Sequence, residues 1–157
     1  MIRLTFVEFL FRAIPESFLI VMIAYIFCNK NIAKVLIIKA TLIFSISVYL
    51  IRLLPIALGV HTIIASICFV IISVFILKIS INVSIFSILV SVISLSTCEL
   101  INSFLLVIIF KIKVFPSIKL RLIYNTPSLI MFMFIVLIIY VFVDKTNFSL
   151  KDSENLL

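Results

Sequence analysis

The sequence predicts an all-α fold, a polytopic transmembrane helix bundle of about five spans. Three observations lead there. Of the 157 residues, 66% are hydrophobic and 12% charged, and the mean hydropathy is +1.50, whereas a soluble domain is about half apolar and a quarter charged. The apolar residues fall in unbroken runs close to the ~20 that a helix needs to cross a bilayer. Those runs do not alternate and exceed the ~10 residues of a barrel strand. A soluble fold of this size could not hide so much apolar side chain, because its surface must stay wet.

The first span is expected over about 4–28, with Glu8, Arg12, Pro15 and Glu16 in its N-terminal half. No small-residue cleavage site stands out after it, so no signal peptide is predicted. A polar link at 29–34 leads to a second span over about 35–54, with Lys39 near its start and Arg52 at its end. Pro55 and Gly59, the only glycine, mark a short connector. A third span over about 60–77 is opened by His61 and closed by Lys78. The fourth, about 83–110, is longer than one crossing requires, which tilt or emergence from the membrane accommodates.

Around Pro116, Lys111, Lys113, Lys119 and Arg121 alternate with apolar residues. This pattern suits an interfacial amphipathic segment before the last span. Pro127 opens that fifth span, about 127–143, at a position fit for the first turn of a helix. Residues 1–143 thus form one transmembrane domain, and 144–157 a short polar tail expected to be disordered.

The formal net charge of +7 is spread between apolar runs, where cationic flanks meet phospholipid head groups. Nucleic acid is not an expected partner; the lipid bilayer is. With five spans, Arg3, Arg52, Lys111, Lys113, Lys119 and Arg121 share one side, and Lys30, Lys34, Lys78, Lys145 and Lys151 the other. This near balance leaves orientation undecided by charge. Cys28, Cys68 and Cys98 form no CxxC pair and no metal spacing, so reduced thiols are the expectation, with no metal and no cofactor. Phosphate-binding glycine loops, HExxH and GxSxG are absent from the sequence.

Four sets of residues invite a role. Glu8, Arg12 and Glu16 lie four apart on one helical face, acid–base–acid, a pattern for intrahelical ion pairs. They suit either an interfacial turn or a charged face toward a cavity or partner helix. Glu99, near the middle of the fourth helix with Asn102 one turn on, costs about 2.5–3.5 kcal/mol to insert there and must face protein or water. It is expected to be protonated or to pair with Arg12, Arg52 or His61, in a functional or a purely structural role. Ser84, Ser87, Ser91, Ser94, Cys98 and Asn102 recur every three or four residues, a packing seam for a neighbouring helix. His61 and Cys68 share a helix face but sit about 10.5 Å apart along it, too far for a thiolate–imidazole pair. His61 suits a cap or interfacial anchor better.

Phe11-Arg12-Ala13-Ile14-Pro15-Glu16 resembles the R-x-I-P-E opening of small membrane domains in Firmicutes. The stretch from Ile51-Arg52-Leu53-Leu54-Pro55 to Gly59-Val60-His61-Thr62 is similar to their R-L-L-P-x-x-x-G-V-H-T connector. Cys98-Glu99-Leu100 and Tyr124-Asn125-Thr126-Pro127-Ser128-Leu129 are similar in placement. Such domains form the multi-span sensors of histidine kinases with GHKL-type ATP-binding domains, or stand alone.

The resemblance implies a sensing or interaction module in the cytoplasmic membrane, with a cytoplasmic C-terminus and a histidine kinase as signalling partner. Self-association into a homo-oligomer is a further option. No kinase domain follows the last span, so the expected function is non-enzymatic, with Arg12, Glu16, Arg52, His61, Glu99 and Asn102 as its polar centre. Two alternatives stand beside it. Gly59-Val60-His61 and Cys68 resemble the His and Cys of membrane peptidases that process quorum-sensing propeptides, although the second glycine of their Gly-Gly pair is missing here. A substrate-binding membrane subunit of a transporter suits the size and span count.

Overall fold

In the computed structural model, residues 12–28, 32–54, 59–110 and 126–143 are described. They form five helices: α1 (Ile14–Cys28), α2 (Lys34–Leu53), α3 (Val60–Phe75), α4 (Ile81–Phe110) and α5 (Thr126–Val143). Among the described residues there is no strand. The helices begin and end close to where the hydropathy breaks, because a continuous apolar run in lipid must satisfy its backbone internally. The expected amphipathic segment at 111–125, the tail and Glu8 lie outside the described residues.

Three helices are long and apolar enough to cross a membrane: α2, α4 over Ile81–Leu106, and α5. The other two, α1 and α3, are apolar but shorter, with 15 and 16 residues. Arg12 and Ala13 extend α1 upstream by a π-helical turn.

Helices α1 to α4 close into a ring, in which α1 packs on α2 and α4, and α3 on α2 and α4. The sequence links at 29–33, 54–59 and 76–80 are too short to run the length of a helix, so successive helices are antiparallel. Gly59 and Lys78 sit at two of these bends with φ of 99° and 54°. Gly59 needs its missing Cβ there, since left-handed backbone is costly for other residues. Its carbonyl accepts the N–H groups of Thr62 and Ile63, which starts α3.

The core centres on α1, which is buried on most sides: Val21, Ile23 and Ala24 have no exposed surface. A helix apolar all round belongs inside a bundle. Edge-to-face ring pairs join Phe44 of α2 to Phe69 of α3 and Phe27 of α1 to Phe86 of α4, with centroids 5.2 and 5.1 Å apart. Helix α5 adds Ser128, Phe132 and Val136, spaced one turn apart and buried. The outer faces carry Leu42, Ile46, Ile67, Leu89, Ile93, Phe134 and Ile138, all exposed. An apolar exterior over an apolar core suits lipid as the surrounding solvent.

The serine seam is buried along α4 as the spacing predicts. Ser84, Ser87, Ser91, Cys98 and Asn102 are buried, and Ser94 is half-buried. The hydroxyls of Ser84, Ser87 and Ser91 donate back to the carbonyls of Ser80, Val83 and Ser87. They are satisfied within their own helix, so their small size is what serves the packing.

Candidate functional site

The up-down order puts the start of α1, the end of α2 and the start of α3 at one end of the ring. Arg52 and Glu99 each lie about five turns, or ~27 Å, into their helices, so both reach that same end. Glu99 is therefore level with the ends of three helices rather than at mid-bundle. Helix α4 continues past it for about three more turns, which is where its surplus length goes.

There the charged side chains form one network. Arg12 donates from Nη2 to Oε1 of Glu99, an ion pair between α1 and α4. Arg12 Nε also faces Glu16 Oε2 at 3.9 Å, the expected i,i+4 pair. Arg52 Nη2 donates to Glu16 Oε1 at 3.4 Å, which ties α2 to α1. Two guanidiniums and two carboxylates thus alternate as Glu99–Arg12–Glu16–Arg52, and their charges cancel. Glu16 lies deepest, its side chain 9% exposed, against 28% for Arg12, 30% for Arg52 and 43% for Glu99. The cost of burying it is offset in part by a guanidinium on each side.

His61 completes the end from α3. Its Nδ1 lies 3.0 Å from the carbonyl oxygen of Ile51. A carbonyl only accepts, so Nδ1 carries a proton. The expected cap is present, but it closes the C-terminus of α2 rather than the N-terminus of its own helix. The Ile51 carbonyl also accepts the N–H of Leu54. His61 therefore braces the α2–α3 corner.

These groups surround a cavity of about 150 Å³ between the four helices. Glu16, Arg52, His61 and Glu99 line its polar end. Phe44, Val48, Ile88, Val92 and Leu95 line the cavity one to three turns further into the bundle. Arg12 pairs with both carboxylates but is not part of the lining.

The remaining candidates fall elsewhere. Asn102 is buried one turn beyond Glu99. Cys68 is half-buried on α3, which is continuous between it and His61, and it does not line the cavity. All three cysteines are free thiols. Among the described residues, no three His, Cys, Asp or Glu side chains gather as metal ligands would.

Ile20, Thr62, Ala65, Ser66 and Ser96 also line the cavity. They were not singled out in the sequence because apolar and small residues at helical spacing look alike wherever they point. Compared with known proteins, the chain matches no protein-family model, no curated protein and no solved structure.

Proposed function

We propose that the chain is a non-enzymatic, multi-pass protein of the cytoplasmic membrane that senses a signal and passes it on through helix contacts to a signalling partner, such as a histidine kinase. The observation that carries this reading is the network Glu99–Arg12–Glu16–Arg52, which locks α1, α2 and α4 together at one end of the bundle. Breaking the pair between Arg12 and Glu99 would free α4 to move relative to α1, as in other transitions that repack interface salt bridges. A ligand that prefers the paired or the broken state shifts the balance between them.

The resemblance of Arg12–Glu16 and of the Arg52–Thr62 connector to kinase sensor domains is in line with this reading, and it implies a cytoplasmic C-terminus. The unbroken α3 between His61 and Cys68 argues against the peptidase alternative, since a thiol attacks only with its base in hydrogen-bond reach.

Co-expression with a histidine kinase encoded beside this chain, read as kinase autophosphorylation in membrane vesicles, tests the proposal. Glu99→Gln and Arg52→Ala should change autophosphorylation at least about threefold, roughly 0.65 kcal/mol of coupling, while Cys68→Ala leaves it unchanged. Equal autophosphorylation with the native chain, with Glu99→Gln and with no chain at all would overturn it.

A further inference from the structure

The two ends of the cavity differ in chemistry, and the difference selects what can enter. Its polar end is lined by two carboxylates, Glu16 and Glu99, and a single guanidinium, Arg52, since Arg12 pairs with both carboxylates but is not part of the lining. Glu99 meets Arg12 through Oε1 and is the most exposed member of the network, and a carboxylate has about four lone-pair sites. His61 also lines this end, with its Nδ1 committed to the Ile51 carbonyl. The wall is therefore richer in acceptors than in donors. The inner part is lined mainly by hydrocarbon, from Phe44, Val48, Ile88 and Val92, and the Ser66 hydroxyl on α3 is bonded back to the Thr62 carbonyl. A volume of about 150 Å³ matches apolar cavities that admit a molecule the size of benzene.

We propose that this cavity binds a small primary ammonium compound with a compact aliphatic body of about four to six carbons. The ammonium donates to Glu99, and the aliphatic body lies against Phe44, Val48, Ile88 and Val92. A carboxylate head of the same size would sit beside two like charges, and an alcohol would forgo the charge-assisted bonds. The proposal deepens the sensor reading, because it names the class of signal that this end of the bundle takes. A bound cation competes with Arg12 for Glu99 and so loosens the tie between α1 and α4.

Equilibrium binding of radiolabelled isopentylamine to the purified chain in lipid nanodiscs tests it, with empty nanodiscs as the control for partition into lipid. Saturable binding near one per chain is expected. Isovalerate and isopentanol should fail to displace it at about tenfold excess. Glu99→Gln should weaken it at least about tenfold. Ala65→Phe, which fills the cavity from α3 without touching the ion network, should abolish it, and size exclusion confirms that this variant stays folded.

No saturable binding, equal displacement by the acid and the alcohol, or binding unchanged in Ala65→Phe would each overturn the proposal. The two readings fail separately. Altered kinase autophosphorylation in Glu99→Gln without amine binding would overturn only the ligand class. Amine binding without any effect on a kinase would overturn only the sensor.

Discussion

Arg12, at the entry to α1, is ion-paired with Glu99 in α4, across 87 positions of sequence. The same guanidinium faces Glu16 one turn along its own helix, so it joins a local contact to a distant one. Removing either partner should loosen the bundle modestly, because both side chains keep some solvent. A double-mutant cycle with Arg12→Ala and Glu99→Gln should give a coupling of about 0.5–1.5 kcal/mol, measured by unfolding in micelles. A coupling of zero would show that the pair does not hold α1 to α4.

Glu16 should matter more than Glu99. It lies between Arg12 and Arg52 with almost no exposed surface, and its loss leaves two guanidiniums facing one another. Glu16→Ala should cost about 3 kcal/mol in the same assay. A smaller cost than that of Glu99→Gln would contradict the ranking by burial.

His61→Phe should cost about 1 kcal/mol, the typical net worth of one hydrogen bond, through loss of the brace to Ile51. Nitrogen-15 NMR of the single histidine checks the geometry directly. The neutral ring should carry its proton on Nδ1; a proton on Nε2 would exclude the bond to the carbonyl.

Size, and not polarity, should decide the seam on α4. Ser87→Ala should change stability by less than about 0.5 kcal/mol, because the hydroxyl serves only its own helix. Ser87→Leu should cost about 1–3 kcal/mol through overpacking. Likewise Phe69→Ala, at a fully buried ring, should cost about 3–5 kcal/mol. Phe134→Ala, on the outer face, should cost far less. Comparable losses at the two phenylalanines would place Phe134 in a protein contact rather than against lipid.

The up-down order predicts which connectors share a side of the membrane. On a cysteine-free background, Ala33→Cys and Ser80→Cys should react with an impermeant maleimide from one face of sealed vesicles, and Leu54→Cys from the other. Labelling of all three from the same face would exclude the antiparallel ring.

Helix positions were legible in the sequence because hydropathy is a local property. A run of some twenty apolar residues has one way to satisfy its backbone in lipid, so α2 and α5 fall within a residue or so of their expected bounds. Burial of the α4 seam was legible too, since residues three and four apart share a face whatever that face meets. Pairing was not local. Glu99 had Arg12, Arg52 and His61 as equal candidates, and the choice depended on how far each helix is rotated and how deep each group sits.

Only the closed ring settled it, by giving Glu99 to Arg12, Arg52 to Glu16 and His61 to the carbonyl of Ile51. The ring also moved Glu99 from its apparent mid-helix depth to the bundle end, because depth is counted from where the neighbouring helices stop. The sequence by itself determined the membrane-type, all-helical character and where the helices lie, three of them long enough to cross a membrane. Tertiary structure decided which charges meet and that a cavity lies beneath them, because both depend on the packing of four helices at once.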